Sequence, residues 1–120
     1  MHGNYAPNMK EQECDVLIAI GMRFSDRVIC NPATYAKQAK IIQLDIDGAE
    51  IDKNVKTDVA VVADCKESLP AITKLLRPSS HKEWCESFRP LYEEEYEKVI
   101  RPATCPSSGP LLMGEVVKAV

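Results

Sequence analysis

The residues best suited to chemistry lie just after three short apolar runs. The first run passes into Gly21-Met-Arg-Phe-Ser-Asp-Arg27. Arg23 and Arg27 carry guanidinium forks that can grip a phosphate or a carboxylate in bidentate fashion. Gly21 allows a ligand close approach to the backbone. Asp45 ends the second run, about two dozen residues after Gly21, where an acidic residue commonly accepts hydrogen bonds from a ribose. Asp64 ends the third. Gly21, Arg23, Asp45 and Asp64 together suit an adenine dinucleotide laid across three strand ends. The alternative is that Asp45, Asp47 and Asp64 are turn residues and that Arg23 and Arg27 are surface charges paired with Asp26. The Rossmann fingerprint G-x-G-x-x-G is absent, as is any P-loop. The two histidines, His2 and His81, have no Cys or Asp partner at a triad spacing. These residues offer a binding site but no complete reaction centre.

Such residues need a frame. The runs Asp15 to Gly21, Lys40 to Asp47 and Asp58 to Asp64 are rich in Val and Ile. The first and third are continuously apolar, which predicts strands buried on both faces. The intervals suit crossovers: a helical segment over Thr34 to Ala39, and a single helical turn over Glu50 to Asn54. After the third run, Lys66 to Leu76 predicts an amphipathic helix with Leu69, Ile72, Leu75 and Leu76 on one face and Pro70 in its first turn. Strands alternating with helices predict an α/β fold with a three-layer, Rossmann-like parallel sheet, here incomplete. Arg77-Pro-Ser-Ser80 is a natural break. Trp84, Phe88, Leu91, Tyr92, Tyr96 and Val99 then recur at helical spacing over His81 to Val99, and Pro90 is expected to end or kink the first half. Arg101 to Pro110 reads as a linker, and Pro110 to Val120 as the start of another helix. Glu93-Glu94-Glu95 reads as a solvated face.

The 120 residues carry 15 Lys and Arg against 18 Asp and Glu, a net charge of −3, with 45% hydrophobic and 28% charged residues. This is ordinary globular usage and argues against disorder. No basic cluster points to nucleic acid, and no run approaches a membrane span. The five cysteines are odd in number and contain no C-x-x-C, which supports neither zinc nor a disulfide framework. Reduced thiols suit a cytoplasmic protein.

Against this background the stretches Met1 to Gly3, Cys14 to Val28, Ala39 to Ile51 and Lys53-Asn54 resemble the central domain of the acetohydroxyacid (acetolactate) synthase large catalytic subunit family. These are thiamine diphosphate enzymes. The combination R-F-x-D-R with A-K-I-I-x-x-D-I-D-x-A-E-I carries the likeness, which runs from Met1 to about Leu76 and more weakly beyond. The family has a three-domain subunit. Its first domain supplies the glutamate that activates thiamine diphosphate, its central domain holds FAD, and its third binds the diphosphate through Mg²⁺ and a G-D-G motif.

The resemblance implies that residues 1–77 are the later part of the FAD-binding domain. Residues 78–109 would be a helical connecting segment and linker, and 110–120 the start of the thiamine diphosphate-binding domain. The chain is then expected to be a piece of a longer subunit, with no catalytic residue and no metal ligand of its own. Carried over by residue, the FAD contacts are Met1, His2, Gly21, Met22, Arg23, Phe24, Ser25, Asp45, Ile46, Asp64 and Cys65. Met1 would lie near the flavin ring, Arg23 near the diphosphate, and Asp45 and Asp64 towards the ribose and adenine. Asp26 and Arg27 match the substrate channel, where the arginine meets the substrate carboxylate. Ser25, Cys30 and Ala63 depart from the family's Asp, Gly and Gly. Ala63 would crowd the cofactor if its backbone needs positive φ.

The implied activity is the condensation of pyruvate with a second 2-keto acid, pyruvate or 2-ketobutyrate, with loss of CO2, in branched-chain amino acid biosynthesis. Expected partners are 2-keto acids, further large subunits and a small regulatory subunit, with no nucleic acid or membrane. Two alternatives remain: a structural and assembly module with a vestigial nucleotide site, or the central domain of another thiamine diphosphate-dependent decarboxylase or oxidase.

Overall fold

Val and Ile fill the three short runs because β-branched side chains pack well on a pleated surface. In a computed structural model that describes residues 3–105 and 108–120, these runs form strands. They are β1 (Val16–Ile20), β2 (Lys40–Asp45) and β3 (Val59–Val62), paired in parallel in the order β1-β2-β3. Leu17 lies opposite Ile41 and Ile20 opposite Leu44, while Asp45 lies opposite Val62. All three strands therefore end along one edge. The helices are α1 (Tyr5–Lys10), α2 (Asp26–Ile29), α3 (Cys65–Leu75), α4 (Lys82–Glu86), α5 (Arg89–Glu95), α6 (Arg101–Thr104) and α7 (Met113–Ala119). This is the expected α/β architecture.

The chain divides into two compact units. One holds Gly3 and Asn8–Ser80, the other Asn4–Pro7 with His81–Val120. In the first unit, the core under one sheet face is Ala19, Phe24, Ile29, Tyr35, Ala36 and Ile41. Phe24 meets Tyr35 edge to face, with ring centroids 6.1 Å apart. On the other face Leu44 is fully buried, and α3 packs against β2. Burying a side chain of that size contributes roughly 1.5–3 kcal/mol, so Leu44 and Phe24 anchor the two faces of the sheet.

Several expectations need correction. Neither β1 nor β3 is buried on both faces: Val16, Ile18 and Ile20 are 45–55% exposed and Val59 and Val62 50–60%, because α3 packs on the central strand β2. Thr34 to Ala39 is a series of turns rather than a helix. Ala36 sits at φ +41°, outside the helical region, and its N–H donates to the Gln12 side chain. The crossover helix is instead the single turn α2. The expected turn before β3 is a 3-10 turn over Gly48–Glu50, capped by the Asp47 carboxylate accepting from Ala49 N at 2.9 Å. Pro70 stands in the second turn of α3, not the first, while Leu75 and Leu76 stay exposed.

In the second unit, α4 is short and ends before Phe88, and Pro90 is the second residue of α5, where its missing N–H costs nothing. Trp84 and Phe88 stack edge to face, with centroids 5.7 Å apart. Arg101–Thr104 is helical, not linker. A π-turn over Tyr96–Ile100 precedes it. The proline ring at 102 would clash with the carbonyl four residues back in a regular helix, and the wider turn gives it room. Ion pairs Lys98–Glu94 and Arg101–Glu97, at 2.6 and 2.8 Å, line this segment. Among the described residues no helix is long and apolar enough to cross a membrane.

Candidate functional site at the strand ends

In an open parallel sheet, ligands bind beyond the carboxyl ends of the strands. Here that edge carries the loop 21–25, Asp45 with Ile46, and Asp64 with Cys65. Met1 and His2 lie outside the described residues. The strand pairing continues past the strands themselves. Gly21 N donates to the Leu44 carbonyl at 2.8 Å, and Ala63 N to the Asp45 carbonyl at 3.0 Å. Gly21, Asp45 and Asp64 thus follow one another along the edge, with neighbouring strands spaced about 4.8 Å apart.

The loop after β1 is held from three sides. Gly21 takes φ +60°, which a residue with a Cβ rarely adopts, and open space lies where that Cβ would point. Phe24 is also left-handed, at φ +47°, and its ring is buried in the core. What Phe24 can offer a ligand is therefore its backbone. Asn54 donates from Nδ2 to the Arg23 carbonyl at 3.2 Å, which pins the loop to the segment before β3. Gln43 donates from Nε2 to the Met22 carbonyl at 3.1 Å and to the Glu50 carbonyl at 3.2 Å. It is fully buried, and its Oε1 has no hydrogen-bond partner. The Arg23 side chain is left on the exposed side of a loop whose backbone is fixed. Sequence reasoning missed Gln43 and Asn54. The one available signal for Gln43 was a polar residue in the middle of an otherwise apolar run.

The carboxylates have local duties as well. Asp45 is 7% exposed, and its Oδ1 accepts from Asp47 N at 2.9 Å, shaping the turn after β2. Asp64 caps α3, with Oδ1 accepting from Lys66 N at 2.8 Å. Ile46 is 71% exposed beside Asp45, an apolar surface at the middle of the edge. Ser25 is the N-cap of α2 without a side-chain cap bond, and Asp26 and Arg27 form the exposed first turn of that helix. The predicted residues 21–27, 45–46 and 64–65 therefore share one edge.

A backbone opening at Gly21, an exposed guanidinium donor at Arg23 and a carboxylate acceptor at the end of the central strand are groups that could hold an adenine dinucleotide. Ala63 does not have positive φ, so the condition under which it would crowd a cofactor is not met. The departure with a backbone consequence is Cys30, at φ +53°. A separate cleft of about 430 Å³ lies at the opposite edge, between Tyr35–Ile41 and Val55–Asp58. Its lining holds none of the candidate residues, and the parallel-sheet rule favours the strand ends.

Comparison with known proteins places these loops in a family. The family described as "Thiamine pyrophosphate enzyme, central domain" matches residues 1–72. The acetolactate synthase large subunit of Lactococcus lactis is 48% identical over 75 residues, covering 62% of this chain and 13% of that protein. A probable acetolactate synthase large subunit of Methanocaldococcus jannaschii is 56% identical over 69 residues, covering 58% of this chain and 12% of that protein. The large subunit of Parasynechococcus marenigrum is 38% identical over the whole chain, which spans 19% of its length. The matched region contains all three strands and every loop of the candidate site, and on that ground the chain belongs to the thiamine pyrophosphate enzyme central-domain family.

Proposed function

We propose that this chain is the nucleotide-holding part of an acetolactate synthase large subunit. The observation that carries the reading is the coincidence of two things: the family match over residues 1–72 takes in every described strand-end loop, and the chain is 48% and 56% identical over 75 and 69 residues to two acetolactate synthase large subunits. The whole enzyme would join two 2-keto acids with loss of CO2. Thiamine diphosphate, bound through Mg²⁺ by other domains, supplies the electron sink for that decarboxylation.

The residues here bind and orient. Arg23 would neutralise the FAD diphosphate with its fork, and Gly21 would let the backbone approach it. Asp45 and Asp64 would accept hydrogen bonds from the ribose and adenine end, while Ile46 and Cys65 supply packing. The Met22, Phe24 and Ser25 backbone would wall the cofactor. Arg27, oriented beside Asp26 on α2, would meet the carboxylate of a 2-keto acid. Assembly with further large subunits and a small regulatory subunit, in the cytoplasm, completes the proposal.

Titration of the full-length protein with FAD, followed by flavin fluorescence, tests it. Binding in the wild type and its loss in Arg23→Ala support the reading. A second reading, a structural module with a vestigial nucleotide site, draws on one observation: Asp45 and Asp64 already hold a turn and a helix cap. It predicts no flavin uptake by either protein. The 120-residue chain alone is expected to make no acetolactate, and detection of that product would overturn its assignment as a non-catalytic part.

A further inference from the structure

The second unit contains a thiol and an amine within bonding reach. Cys105 follows α6 and is exposed. Lys118 lies in the last turn of α7 and donates from Nζ to Cys105 Sγ at 3.0 Å. The pair is separated by 13 residues, so tertiary packing must bring it together. Gly114 provides that packing. A Cβ at Gly114 would run into the Ala103 carbonyl, so only glycine lets α7 lie this close to α6. Lys118 is four residues further on, one helical turn along the same face, and lands over Cys105.

The surroundings favour a thiolate. The Lys118 ammonium beside the sulfur, followed by the Thr104 hydroxyl, holds the Cys105 thiol below its ordinary range, with Arg101 adding to the effect. Cys105 in turn raises Lys118. The thiolate is the form that reacts with electrophiles and peroxides.

We infer that Cys105 and Lys118 form a peroxide-responsive covalent latch between α6 and α7. The Cys105 thiolate attacks one oxygen of a hydroperoxide, here hydrogen peroxide. The O–O bond breaks, and the departing hydroxide takes a proton from the Lys118 ammonium to become water. The sulfur is now a sulfenic acid, oxidised by two electrons, and Lys118 is a neutral amine. Its nitrogen attacks the sulfur, the S–O bond breaks, and the leaving hydroxide takes a proton from nitrogen as a second water. A sulfenamide S–N bond remains, and any added thiol reverses it.

The test uses the full-length protein treated with hydrogen peroxide, digested without reductant and mapped by mass spectrometry. The expected product is a peptide joining Cys105 to Lys118, lighter by two hydrogen atoms than its parts and separated by dithiothreitol. In Lys118→Arg, which keeps the positive charge but offers a poor nucleophile, that peptide is absent. Cys105 is instead trapped as a sulfenic acid by dimedone. In Lys118→Met, alkylation of Cys105 by iodoacetamide at neutral pH slows several-fold, while Cys30 and Cys85 keep their rates. Cys105 reacting no faster than Cys30 and Cys85 in the wild type, or equal dimedone labelling of Cys105 in wild type and Lys118→Arg, overturns the inference.

Discussion

Gln43 reaches from the middle of the central strand to the carbonyl of Met22, donating at 3.1 Å from a position with no solvent exposure. One buried amide thereby fixes the backbone of the loop that displays Arg23. The same nitrogen holds Glu50 after β2. Replacing it with a leucine of similar volume leaves two carbonyls without this donor. Leaving buried polar groups unsatisfied costs about 1–3 kcal/mol. Gln43→Leu removes the unpartnered Oε1 as well, so it is expected to lower unfolding stability by less than that amount while speeding amide exchange over residues 21–25, measured by urea denaturation and hydrogen exchange. Unchanged exchange in the loop would refute a positioning role for Gln43.

Cys30 ends α2 at φ +53° and ψ −78°. A side chain in such a conformation costs about 1–3 kcal/mol, and glycine removes most of that cost. Cys30→Gly is expected to raise the melting temperature by several degrees, read by calorimetry. The residue is exposed, so no core contact is lost. A fall in melting temperature would show that Cys30 has a compensating contact.

Gly114→Ala carries the opposite sign. The added methyl meets the Ala103 carbonyl and must push α7 off α6. Overpacking of this kind costs about 1–3 kcal/mol. The same displacement moves Lys118 from Cys105, so slower Cys105 alkylation is expected alongside lower stability. Full retention of the alkylation rate would separate the two effects and count against the packing argument.

Two carboxylates give the first unit an acid limit. The Ile41 backbone N–H, then the Lys40 ammonium, hold Asp58 below the usual carboxylate range. The Thr57 backbone N–H, then the Thr57 hydroxyl, do the same for Asp52. Groups depressed in the folded state stabilise it above their unfolded pKa, near ~3.9. That contribution is lost as pH falls through the lower folded value. Stability is expected to drop on acidification below about pH 4, and less steeply in Asp58→Asn. Parallel stability profiles for the two proteins between neutral and strongly acid pH would contradict this.

The parallel sheet was legible because each strand is a short Val- and Ile-rich run closed by Gly or Asp, and local pattern decides strand identity. The strand-end placement of Gly21, Asp45 and Asp64 followed from that, since parallel strands share one carboxyl edge. Helix α3 was legible from its apolar spacing. Thr34 to Ala39 was misread because its backbone partner is the side chain of Gln12, 24 residues earlier, which no local window contains.

Residue types and spacing by themselves determined the fold class, the family likeness and the strand-end edge shared by Gly21, Asp45 and Asp64. Packing alone decided which residues hold that edge in shape. Gln43, Asn54 and the buried ring of Phe24 act across the folded unit. Gly114 sets the helix contact that brings a lysine to a cysteine 13 residues away. Hydrophobic periodicity is a property of neighbours along the chain and can be read there. Hydrogen bonds to distant carbonyls and the fit of one helix on another depend on the path of the backbone in space.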